Sequence, residues 1–172
     1  MGEAIVTNSK TDNRITPEDS ALILLDHQTG LCTGVADQSQ TEFLNSVLGL
    51  ASMGKVFGLP TVISTSFAEG PNGPLISELA ALYPELPVVG RPGEINAWDN
   101  PDFVAAVKAT GRKNLIIAGV STEVCVAFLS LSVVKEGYGV YAVIDASGTW
   151  NKLVAEVAIA RMVQAGVVPV TR

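Results

Sequence analysis

Charge is scarce in this sequence. Asp, Glu, Lys and Arg make up 16% of its 172 residues and hydrophobic residues 48%, where soluble domains typically carry about 25% charged residues. A chain this poor in charge is expected to cover part of its surface with copies of itself, as a homo-oligomer. The charge that is present is acidic in excess, net -6 with a pI near 4.7. That balance argues against nucleic acid as the main partner. Histidine occurs once, at His27, which disfavours a zinc site built from several His and Cys ligands and leaves a Cys–His dyad one possible imidazole. His27 itself reads as a wall or interface residue. Cysteine occurs twice, at Cys32 and Cys125, too few for a disulfide framework. Reduced thiols in a cytoplasmic protein are the simplest expectation. No apolar run approaches the roughly 18 residues that would span a bilayer. The stretch Met1 to Thr16 is polar and lacks the apolar core of a secretory signal. Neither Gly-x-Gly-x-x-Gly nor a Gly-Lys-Ser/Thr phosphate loop occurs, so no nucleotide cofactor is expected. The length fits one domain over residues 1–172 with a substantial core.

What the sequence does have is alternation between short apolar runs and helical patterns. Strands are expected at 21–25, 61–65, 87–91, 114–118, 138–144 and 167–170. Between them, Ser39 and Glu42 form a capping box ahead of Leu44, Val47, Leu48 and Ala51 at helical spacing. Leu75 to Tyr83 reads as a short helix. Asn100 and Pro101 supply an N-cap and a first helical residue. Further helices are expected over 122–135 and 152–164. Six strands interleaved with helices imply a three-layer α/β/α, Rossmann-like fold around a mainly parallel six-stranded sheet. In such sheets ligands bind outside the carboxyl ends of the strands, where the strand order reverses.

Three reactive residues fall at such ends. Cys125 follows the strand 114–118 through Gly119-Val120-Ser121-Thr122-Glu123-Val124. In a first helical turn, with Thr122 as N-cap, the unpaired backbone N–H groups favour thiolate and could hold an oxyanion. A lone cysteine in an apolar helix is more often a small buried hydrophobe, and the acidic neighbour Glu123 disfavours a thiolate. Its place after a strand turns the balance toward a nucleophile. Asp26 closes the first strand; it reads as a turn-forming Asx residue or, beside a thiol, as a general base. Arg91 reads as a surface residue paired with Glu94 or Asp99, or as a permanent cation that keeps Asp26 ionised and lowers the thiol pKa. Asp145 is a rival carboxylate, in a loop (Asp145 to Thr149) suited to capping itself and supporting a site. Cys32, in the loop Gly30 to Gly34, reads as incidental and exposed.

Leu-Leu-Asp-His-Gln at 24–28, Arg-Pro-Gly-Glu-Ile-Asn-Ala-Trp-Asp-Asn at 91–100 and Gly-Val-Ser-Thr-Glu-Val-Cys-Val at 119–126 together resemble the isochorismatase-like cysteine hydrolases. The resemblance runs from about Asp19 to Val170. It implies a triad of Asp26, Arg91 and the nucleophile Cys125, with Arg91 standing where many relatives carry lysine. It also implies a cis peptide at Val120-Ser121 that turns the Ser121 N–H, with that of Cys125, toward an oxyanion. Metal-binding relatives have an Asp and His cluster that this chain lacks, so neither metal nor other cofactor is expected. Relatives continue beyond the last strand, where this sequence ends at Arg172. The expected activity is cofactor-independent hydrolysis of a small carbonyl compound, an amide first, through a Cys thioester. The alternatives are hydrolysis of an enol ether bearing carboxylates, as by isochorismatase, or a catalytically weak oligomeric or binding protein on the same fold. Phe67, Trp98 and Trp150 are the aromatic candidates for pocket walls.

Overall fold

The computed structural model describes residues 14–172. Met1 to Asn13, most of the stretch read as lacking a signal, lie outside the described residues. Six strands form one sheet: β1 Ser20–Leu25, β2 Thr61–Ser66, β3 Val88–Arg91, β4 Asn114–Gly119, β5 Gly139–Val143 and β6 Val168–Val170. Every pairing is parallel, in the order β3-β2-β1-β4-β5-β6. The chain thus grows outward from β1 in one direction and then, from β4, in the other. The crevice at the carboxyl ends of β1 and β4 is where a ligand site is expected in such a sheet.

The helices are α1 Thr29–Cys32, α2 Gln40–Val56, α3 Ser77–Leu82, α4 Pro101–Ala109, α5 Ala127–Lys135 and α6 Lys152–Gln164. Two begin as their sequence signals require. The Ser39 hydroxyl accepts from the Glu42 N–H at 3.2 Å, and the Asn100 side chain accepts from the Phe103 N–H at 2.9 Å with Pro101 at the first helical position. The segment read as a loop around Cys32 contains the single turn α1.

Because strand side chains alternate faces, β1 feeds both layers. Ala21, Ile23 and Leu25 pack with Phe103, Val107, Leu129, Val133 and Met162 from α4, α5 and α6. Leu22 and Leu24 pack with Phe43, Val47, Leu50 and Leu79 from α2 and α3. All of β1 is buried, and each Leu or Ile hidden this way contributes on the order of 1.5–3 kcal/mol. The site-bearing ends of β1 and β4 are therefore anchored in the most buried part of the sheet. Gly119 allows their close approach, since a Cβ there would lie 2.5 Å from the Leu25 carbonyl oxygen. Among the described residues no helix is long and apolar enough to cross a membrane.

Candidate active site

Asp26 is the first residue past β1 and is fully buried. Its φ of 55° lies in the left-handed region, which aspartate tolerates better than most side chains. The Asp26 N–H donates to the Ser64 carbonyl at 2.9 Å, tying the turn to β2.

Arg91 ends β3, the edge strand, and its side chain crosses β2 to reach Asp26. Nε donates to Ser64 Oγ at 2.9 Å on the way, and that hydroxyl donates in turn to the Val89 carbonyl at 2.8 Å. Nη2 donates to both carboxylate oxygens of Asp26 at 2.5 Å. Nη1 donates to the Glu94 and Ile95 carbonyls at 2.8 and 3.2 Å. Arg91 is 1% exposed, so the surface pairing with Glu94 or Asp99 is not formed: Glu94 offers its backbone instead.

Cys125 faces this pair from the end of β4. The helix expected over 122–135 begins as a π turn, Thr122–Val126, before α5 takes over. The Val126 N–H reaches back five residues to the Ser121 carbonyl at 3.2 Å. Ser121, not Thr122, stands at the cap, without a side-chain cap bond. Such widened turns are frequent at functional sites. The Val120-Ser121 peptide is cis.

The thiol pKa moves opposite to the sequence expectation. Burial pushes the Cys125 thiol up, the Asp26 charge and an Asp26 hydrogen bond push it further, and the Ser121 N–H and Arg91 offset only part of this. Arg91 is already committed to Asp26, so the carboxylate dominates the local field. Cys125 rests as a thiol, with the Asp26 carboxylate and the Ser121 N–H as its polar neighbours.

The loop after β5 buttresses this turn. Ser147 Oγ accepts from the Gly119 N–H at 3.2 Å, and the Thr122 N–H donates to the Gly148 carbonyl at 3.0 Å. Asp145 in the same loop turns away: its carboxylate accepts from the Arg172 backbone N–H at 3.1 Å. His27 is no wall residue. It is fully buried, its Nε2 is 3.0 Å from the Ala146 carbonyl, and it stacks on Phe43. Burial lowers its pKa. Cys32 is also buried rather than exposed, 5% accessible, with its thiol raised to about 12 by burial and then by the Glu78 charge.

Arg91, Ser121 and Cys125 open into a cleft of about 450 Å³. Phe67 and Trp150 line it as expected, together with Leu31, Ile95 and Val124. Trp98 does not. The short 3-10 turn Ala97–Asp99 carries it toward the core, where it packs edge-on against Tyr138 with ring centres 6.0 Å apart. Sequence reasoning missed Ser64, Ser66, Asn72 and Gln28. Gln28 is buried and binds β2 through the Ser66 N–H at 2.8 Å and the Ser66 carbonyl at 3.0 Å. Its place two residues after Asp26 was the available signal. Among the described residues there is no group of three or more His, Cys, Asp or Glu that could hold a metal ion.

A model of the isochorismatase domain matches residues 20–172. The probable hydrolase YcaC of Escherichia coli K12 is 55% identical over 153 residues, 89% of this chain and 74% of that protein. The structure of YcaC from Pseudomonas aeruginosa with hexane-2,5-diol and covalent acrylamide superposes with a TM-score of 0.93 at 53% identity, covering 95% of this chain and 81% of that one. The nicotinamidase of Bacillus subtilis, 15% identical, shares the fold with a TM-score of 0.73 over 88% of this chain and 98% of that one. With the isochorismatase domain matched over residues 20–172 and 55% identity to a probable hydrolase across 89% of its length, the chain belongs to the isochorismatase family of hydrolases.

Proposed function

We propose that this hydrolase cleaves the C–N bond of a small amide, with Cys125 as nucleophile, Asp26 as general base and acid, and no cofactor. The observation that carries the reading is the placement of the Cys125 thiol at the cleft wall, with the buried Asp26–Arg91 pair and the Ser121 N–H as its polar neighbours. As sulfur attacks the substrate carbonyl, Asp26 takes the thiol proton. The oxyanion forms beside the N–H groups of Ser121 and Cys125. Collapse expels the amine, which receives the same proton from Asp26. Asp26 then deprotonates water, and hydroxide cleaves the thioester to release the acid and restore the thiol. Arg91 holds the carboxylate in place through both oxygens. It cannot itself exchange protons at useful pH. Phe67 and Trp150 hold the substrate's apolar part.

The covalent acrylamide on the Pseudomonas aeruginosa relative supports a nucleophile within this fold. The Escherichia coli relative is an octameric hydrolase of unknown specificity, and a homo-oligomer of the 1–172 domain fits the exposed Leu153 and Val157 on α6. The test is ammonia release from a panel of small primary amides. The wild type is expected to hydrolyse at least one, Cys125→Ala to lose turnover at least a thousandfold, and addition of a chelator to leave the rate unchanged. Turnover that survives Cys125→Ala would sink the proposal.

A further inference from the structure

The cleft has one cationic side chain among its described lining residues, Arg91, and its charge is already paired inside the protein. A guanidinium carries five N–H donors. In Arg91, Nε donates to Ser64, Nη1 to the Glu94 and Ile95 carbonyls, and Nη2 to the Asp26 carboxylate, so all three nitrogens are engaged inside the protein. At 1% exposure and with its charge paired to Asp26, Arg91 offers little to a substrate carboxylate. The other ionisable groups at the lining besides Cys125 are two acids, Glu94 and Glu123.

Backbone N–H groups, Asn100 and Arg91 together hold the Glu94 carboxyl below its usual range, so it is anionic at neutral pH. Glu123 stands two residues before the nucleophile. Its Oε2 accepts from Thr149 Oγ1 at 2.6 Å, which fixes the side chain at the wall. Among the described residues Oε1 accepts no hydrogen bond. The rest of the wall is largely apolar, with Leu31, Phe67, Ile95, Val124 and Trp150. Such a wall lowers the local dielectric and strengthens the repulsion between an incoming anion and these carboxylates.

We infer that the cleft selects uncharged amides with an apolar body and rejects carboxylate-bearing substrates, and that Glu123 is the specificity-determining residue. The inference rests on Cys125 being the nucleophile. It separates this chain from an ether hydrolase for carboxylated enol ethers, whose substrate would meet two acids and an arginine already paired with Asp26.

Charge-paired alkylating probes test it directly. Iodoacetamide and iodoacetate share a leaving group and differ by one negative charge. Each labelling rate at Cys125, read by peptide mass spectrometry on the native full-length chain, is divided by the same reagent's rate with 2-mercaptoethanol. The normalised preference for iodoacetamide is expected to be about tenfold or more, of the order Coulomb repulsion gives at close range. It should shrink severalfold in Glu123→Gln, which keeps an acceptor for Thr149, and shrink in the wild type as salt is raised. Equal normalised rates in the wild type, or a preference that Glu123→Gln leaves unchanged, would overturn the inference. Failure of both reagents to label native Cys125, with normal labelling after denaturation, would instead remove the nucleophile on which it depends.

Discussion

At Cys125 two sets of forces oppose each other, and their balance determines whether the resting group is a thiol or a thiolate. The Ser121 N–H and Arg91 favour thiolate, while burial and Asp26 favour thiol, and the second set prevails. A standing thiolate beside the Asp26 carboxylate would place two negative charges in contact, which a site shielded from water resists. In the proposed mechanism the pair holds one proton between two bases and transfers it as the substrate carbonyl arrives. Such a transfer would suit amides, because the proton would be on Asp26 when the poor amine leaving group needs it. Arg91 has a geometric task as well as an electrostatic one. Lysine carries three donors and no planar fork, so Arg91→Lys would leave some of its five partners without a bond. It should lose at least tenfold in kcat/KM and about 1–3 kcal/mol of stability in urea titration, and an unchanged pair of values would show that the fork is dispensable. The residues themselves were legible in the sequence as polar groups at predicted strand ends. The direction of the thiol shift was not, because it depends on Arg91 already being paired.

Among the elements, those with strong local signals were read most accurately. Asn151 accepts from the Val154 N–H at 3.0 Å and starts α6, whose span is 152–164 as the pattern indicates. β1 and β4 are continuous apolar runs because both faces of a parallel sheet are covered. The π turn escaped detection for a physical reason. Thr122 to Val126 has the composition of an ordinary apolar helix start, and only its packing against the loop after β5, through the Thr122 N–H and Gly148, sets its width. Trp98 was misplaced for a related reason. An aromatic in a loop after a strand fits a wall or a core equally well, and Asn96, which accepts from the Trp98 N–H at 3.2 Å, settles its path.

For the whole molecule, the buried titratable groups bound the pH range of stability. Burial lowers the His27 pKa from its ordinary 6.5, so below that value the unfolded chain binds more protons and stability falls as pH falls. The Cys32 and Cys125 thiols are both raised above their ordinary 9.0. Above that value the folded chain holds more protons than the unfolded one, and stability falls as pH rises. Stability should therefore be greatest between about pH 6.5 and 9, with a limiting slope of about 1.4 kcal/mol per pH unit for each group. Urea midpoints across pH 5 to 11 would check this. Cys32→Ala should flatten the alkaline limb, and an unaltered limb would contradict the burial argument. The α/β/α fold was accessible from alternation alone, whereas the neighbour relations across the sheet that join Arg91 on β3 to Asp26 on β1 required the structure.

The central claim, one proton shared by Asp26 and Cys125, is tested most directly by thiolate absorbance near 240 nm. The titration is run on the wild type and on Asp26→Asn, with the corresponding Cys125→Ser variants subtracted. In the wild type the thiol should titrate above the ordinary 9.0. In Asp26→Asn the opposing charge is gone and Arg91 is released, so the midpoint should fall by at least one unit while amide turnover is lost. A midpoint that stays or rises in Asp26→Asn, or amide turnover that persists in it, would contradict the coupling and with it the mechanism.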